Sequence, residues 1–152
     1  MERKVEIISQ ELIKPIVPQT CESYNLSVLD QLAPQTHIVY LLYYPHDQDS
    51  TNLSTRSLQL KNSLSKILVN FYPFAGRLIN DNTSIRCNSN DDDIVVVFIE
   101  AFAHTTNSKT FSGHILGCSV SHKLADAASV CAFVRCWAKA TMLASGNVSP
   151  AL

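Results

Sequence analysis

Of the 152 residues, one stretch joins a side chain that can move a proton to a spacing that can hold it in place: Cys118–Ser129, CSVSHKLADAAS. His122 and Asp126 stand four apart within it. An imidazole titrates ordinarily near pH 6.5, so it can take a proton at neutral pH and return it. His122 is therefore a candidate general base. The pair alone is a weak signal, because chance supplies such spacings and a lone histidine is more often structural. Its setting adds weight. The residues before it read as a strand, on which His122 shares parity with Leu116, Cys118 and Val120 and points with them into the protein. Asp126 falls at the start of a helical pattern, where the positive end of the helix dipole suits a carboxylate.

Other chemistries fit less well. His114, Cys118 and His122 recur every four residues, which on a helix would suggest metal ligation. Gly113, Gly117, Ile115 and Val120 argue for a strand instead, and there residues four apart are separated by ~13 Å. No metal site is expected. The same distance separates Cys118 from His122 as a thiol–imidazole pair. The chain has no G-x-S-x-G, no G-x-x-x-x-G-K and no G-x-G-x-x-G. Asp91–Asp93 reads as a solvated loop without the spaced ligands of a calcium site.

The elements that must position His122 follow from periodicity. Val5–Ile13 alternates loosely and stops at Pro15, as a strand would. Ser27–Leu32 is short enough for one helical turn. His37–Tyr44, HIVYLLYY, is apolar on both parities, the pattern of a strand covered on both faces. Leu60, Leu64, Ile67, Leu68 and Phe71 make one helical stripe, with a cap expected between Ser54 and Ser57 and a stop at Pro73. Gly76 in FYPFAGRL allows a turn or a close backbone approach. Arg77–Ile79 and Ser84–Cys87 read as short strands around a turn at Asn80–Thr83. Asn88–Asp93 reads as an acidic loop, Ile94–Ala103 as a buried strand and Phe111–Ser121 as a strand, with a short polar link between the last two. The last element spans about Leu124–Leu143, with Val130, Val134, Trp137 and Met142 inward. Ala144–Leu152 reads as a linker or a frayed end. The order implies a mixed α/β fold with a central sheet.

Composition bounds the function classes. The chain is 46% hydrophobic and 16% charged, with net charge −1 from 12 basic and 13 acidic residues. That supports a globular core and gives no basic stripe for nucleic acid and no polybasic membrane signal. The N-terminus lacks the apolar core of a signal peptide, and the longest apolar run, Ile38–Tyr44, falls far short of the roughly 20 residues a membrane span needs. A cytoplasmic protein is expected. The five cysteines, without C-x-x-C, read as small buried hydrophobes rather than a disulfide set.

Taken together, three stretches resemble the plant BAHD acyltransferases, in particular their vinorine-synthase-like branch. They are LKNSLSKILVNFYPFAGRL (Leu60–Leu78), SIRCNSND with VVVFIEA (Ser84–Asp91 and Val95–Ala101), and FSGHILGCSVSHKLADAASVCAFVRCWA (Phe111–Ala138). The opening VEIISQELIKPIVPQT is similar too. The resemblance implies the N-terminal domain of the chloramphenicol-acetyltransferase-like, CoA-dependent acyltransferase fold. It also implies His122 as general base and Asp126 as a structural residue that turns from the substrate toward an arginine. The reaction would move an acyl group from acyl-CoA, a co-substrate rather than a bound cofactor, to a small-molecule alcohol or amine of plant specialised metabolism. Against the family pattern, residues 1–152 read as one incomplete domain, with the second domain and its D-F-G-W-G motif absent. A long helical segment between the IEA strand and the F-x-G-G strand is absent as well. His114 and Ala127 stand where glycines are common. The alternative expectation is a non-catalytic truncated paralogue or pseudo-enzyme acting as a binding module. The surface left by the missing domain would then favour self-association.

Overall fold

A computed structural model describes residues 3–17, 23–45, 53–79, 83–87, 96–105 and 108–144. The elements run β1 (Arg3–Ile13), β2 (Ser23–Asn25), α1 (Val28–Leu32), β3 (His37–Pro45), α2 (Leu53–Ile67), a 3-10 turn (Tyr72–Ala75), β4 (Arg77–Ile79), β5 (Ser84–Arg86), β6 (Val96–Thr105), β7 (Ser108–Ser121) and α3 (Ala127–Ala144). The α/β class holds. The central sheet has four strands, ordered β1-β6-β7-β3, and a smaller second sheet is ordered β2-β5-β4. Every registered pair is antiparallel. Thr105 pairs with Ser108, so β6 and β7 form a hairpin where the sequence suggested a polar link.

Local chemistry explains the loose alternation of β1. A bulge between Ile7 and Ser9 adds one residue, so the inward parity changes along the strand. Val5 and Ile7 lie on one face before it. Leu12 returns to that face after it, while Ser9, Glu11 and Ile13 face the helices. Past the end of β1, the Ile16 amide donates to the Ser65 carbonyl at 3.0 Å, and the Ser65 hydroxyl donates to the Lys14 carbonyl at 2.6 Å. These bonds fasten β1 to α2.

Helices α2 and α3 cover one face of the four-stranded sheet. Leu64, Leu68, Ala75, Phe98, Leu116, Phe133 and Trp137 form the main core. The rings interlock, with Phe74 stacked on Phe133 at 4.8 Å and Phe98 edge-on to Trp137 at 6.3 Å. The Trp137 indole N–H donates to the Leu60 carbonyl and the Ser63 hydroxyl at 3.1 and 3.0 Å, so burial of the ring leaves no polar group unpaired. The expected α3 stripe included Met142 and passed over Phe133. The structure reverses them: Met142 is exposed and Phe133 is fully buried. Length and composition alone would let α3 cross a membrane. A search for continuous apolar runs misses it, because Arg135 and Lys139 interrupt the sequence. Val130, Phe133 and Trp137 are buried in the core.

Three further expectations change. β3 is covered on one face only: Leu42 packs against the core, while Val39, Leu41 and Tyr43 are exposed, because both long helices lie on one side. Helix α2 starts at Leu53, ahead of the cap expected at Ser54–Ser57. Of the cysteines, Cys87 is buried and Cys118 half-buried, but Cys131 and Cys136 are exposed on the outer face of α3; none of these four forms a disulfide. Cys21, the acidic run Asp91–Asp93 and residues 145–152 lie outside the described residues.

Gly76 serves close approach rather than a left-handed turn. Its φ is −78°. A Cβ there would stand 2.3 Å from Ile85 Cγ2 and 2.8 Å from the Arg86 carbonyl oxygen, so only hydrogen fits between the 3-10 turn and β5.

Replacing Phe133 by alanine should cost about 3–5 kcal/mol. Replacing the exposed Met142 by alanine should stay within about 0.5 kcal/mol. Urea unfolding of the two variants measures the difference.

Candidate active site

His122 sits in the turn between β7 and α3, one residue past the strand end. Strand pairing reaches it. His37 pairs with Ser121, and the His122 amide donates to the Thr36 carbonyl at 2.8 Å, extending the β3–β7 ladder by one bond. The amides of Leu124 and Ala125 both donate to the Ser121 carbonyl, which folds the chain back toward the helix. The imidazole is half-buried, as its strand parity implied, and its Nδ1 is buried without a hydrogen-bond partner.

Asp126 forms the other end of the turn. Its Oδ1 accepts from the Ser129 amide at 2.7 Å, and its carbonyl accepts from the Val130 amide. Asp126 is thus the N-cap of α3, the role that suits a short acidic side chain at a helix start. Hydrogen bonds from Ser129 hold its carboxyl below the ordinary aspartate value of 3.8, and the charge of His122 contributes least. The side chain is exposed on the surface.

A third fastening was not foreseen. Lys123 is 5% exposed, and its Nζ donates to the Gln31 carbonyl at 2.5 Å. Gln31 belongs to α1, a helix that buries no residue of its own. A capping box defines α1 instead: the Asp30 amide donates to the Ser27 hydroxyl, and the Ser27 amide to the Asp30 carboxylate. The Gln31 amide side chain then ties back to the Leu26 carbonyl at 3.0 Å. The S-x-x-D spacing at Ser27–Asp30 could have located α1. A lysine beside a histidine carries no signal that it will be buried.

A second polar cluster lies deeper under the helices. Glu100 is buried and accepts from Ser57 at 2.8 Å and Ser9 at 3.4 Å, with His114 Nδ1 at 3.9 Å. Residue 114 follows the inward parity of β7 and so meets the buried carboxylate rather than His122. Cys118 lies on the same inward side, and burial raises its thiol pKa, which works against a thiolate nucleophile. β7 is extended through its length, so His114, Cys118 and His122 stay apart along it.

A family model described as Transferase family matches residues 3–112, ending before His122. The chain is 33% identical to stemmadenine O-acetyltransferase of Catharanthus roseus and 32% identical to vinorine synthase of Rauvolfia serpentina. Each match covers 90% of this chain and 42% of the relative. It is 33% identical to salutaridinol 7-O-acetyltransferase of Papaver somniferum, over 97% of this chain and 39% of that protein. The crystal structure of vinorine synthase superposes with a TM-score of 0.70 at 32% identity, covering 91% of this chain and 43% of that one. The chain thus spans about two-fifths of the length of the curated relatives it matches. The match to the first relative is 180 positions long, whereas this chain has 152 residues. That relative therefore carries residues inside the matched span that have no counterpart here.

Two substitutions probe the fastenings of the turn. Lys123→Met removes a charged donor from the Gln31 carbonyl and should lower stability by about 1.5–3 kcal/mol in urea unfolding. For Asp126, a carboxyl pKa held below its unfolded value stabilises the fold above that value and ceases to as the pH falls through the lowered one. The unfolding-midpoint gap between wild type and Asp126→Asn should be full at neutral pH and shrink progressively below 3.8.

Proposed function

This chain belongs to the Transferase family, the plant BAHD acyltransferases, and we propose that it serves acyl transfer from acyl-CoA to an alcohol or amine of a plant specialised metabolite, with His122 as general base. The setting of His122 carries this reading. Its backbone is pinned to Thr36, and its half-buried ring turns Nδ1 inward. With Nδ1 buried, Nε2 is the ring nitrogen taken as the base. An orphaned buried nitrogen calls for an explanation, and a catalytic role is one.

In the proposed step, Nε2 takes the acceptor's proton as the acceptor oxygen or nitrogen attacks the thioester carbonyl carbon. A C–O or C–N bond forms, the tetrahedral intermediate collapses and the C–S bond breaks. The imidazolium then returns the proton to the CoA thiolate. No covalent acyl-enzyme is required. Asp126 stays outside the proton path and holds the turn through its cap. The names of two relatives, both O-acetyltransferases, favour acetyl-CoA and a hydroxyl acceptor as the first pair to test. A second reading is a family member that binds without turnover. The residues inside the matched span that a relative has and this chain lacks favour it.

Release of free CoA thiol from acetyl-CoA with a panel of alcohols and amines decides between them. The catalytic reading expects turnover that falls about 10²–10⁴-fold in His122→Ala. Turnover no higher than that of His122→Ala, with acetyl-CoA binding retained by calorimetry, would leave the binding reading.

A further inference from the structure

The four-stranded sheet has two unlike faces. One carries the core and both long helices. The other is open and apolar across all four strands. Ile7 and Leu12 on β1, Val97 on β6, and Val39, Leu41 and Tyr43 on β3 are 40–67% exposed. Register places them in rows. Tyr43, Ile115, Ala101 and Ile7 lie side by side, followed by Leu41, Gly117, Ile99 and Gln10. From Ile7 to Leu12, Val97 to Ala101, Ile115 to Ser119 and Val39 to Tyr43, the positions on this face include no Asp, Glu, Lys, Arg or His.

We propose that this face is where a second copy of the chain packs, sheet against sheet. Area comes first. The six exposed residues amount to on the order of 600 Å² of mostly apolar surface, approaching the roughly 800 Å² each partner contributes to a standard interface. The largest apolar patch on a typical monomer is roughly 300–600 Å². Charge comes second. A two-fold contact sets each patch against itself, so any charge would meet its like; an uncharged patch has no such penalty. Shape comes third. A Cβ at Gly117 would stand 3.7 Å from Ile99 and 3.9 Å from Leu41, both ordinary contacts. The glycine therefore leaves a shallow hollow in the middle of the face, bordered by side chains that can enter the same hollow on the partner. His122 lies beyond the end of β7 and by parity on the helix side, so this packing leaves it uncovered. The inference holds whether or not the chain turns over substrate.

Sedimentation equilibrium at micromolar concentration tests it, with circular dichroism confirming that each variant is folded. The wild type should run at twice its 16.8 kDa mass. Leu41→Glu places a carboxylate on each side of the contact and should weaken the dimer by about 100-fold or more. Val39→Lys, a second outward change on the same strand, should do the same. Leu29→Glu, on the exposed side of α1, should leave the dimer intact. A monomeric wild type, a dimer that survives both β3 substitutions, or one that Leu29→Glu dissociates would each overturn the proposal.

Discussion

The arrangement depends on the one-sided packing of α2 and α3 against the β1-β6-β7-β3 sheet. Phe133 and Trp137 enter the core as the bulky residues of α3, and the indole N–H finds its partners on α2 at Leu60 and Ser63. That contact fixes the axis of α3 relative to the sheet. The first turn of α3 then begins where Asp126 can cap it, and His122 is left in the short connection between a fixed strand and a fixed helix. Loops that present chemistry are commonly held this way, by rigid elements at both ends.

The turn has its own fastenings beyond the two elements it joins. One bond reaches Thr36 at the start of β3, and a second, from Lys123, reaches α1. Since α1 buries nothing itself, the lysine contact and its capping box are what place it beside the turn. The exposed Val28, Leu29 and Leu32 therefore stand next to the segment that carries His122.

Much of this was legible in sequence where pattern and burial coincide. The α2 stripe at Leu60, Leu64 and Leu68, the α3 helix, the β7 strand and the place of Asp126 at a helix start all follow from periodicity and capping chemistry. His122 lies one residue past the strand whose parity was extended to it, and its ring is half-buried. The failures have physical causes. β3 is apolar on both parities, and sequence cannot say whether the second face meets protein or solvent. Phe133 and Met142 compete for one stripe, and only the placement of the neighbouring helix decides between them. Burial of Lys123 and the Glu100–His114 cluster depend on partners remote in the chain, Gln31, Ser9 and Ser57, which no local signal announces.

The central claim is that this chain forms the His122–Asp126 turn, with the His122 amide bound to Thr36 and the Ser129 amide bound to Asp126. Amide hydrogen exchange on the intact chain tests it most directly, read at the two bonds that define the turn. His122 and Ser129 should exchange as slowly as neighbouring amides within α3, because their N–H groups are bound to Thr36 and Asp126. Exchange of both at free-peptide rates, while Phe133 and Trp137 stay protected, would show a folded core carrying an unformed site and would contradict the claim.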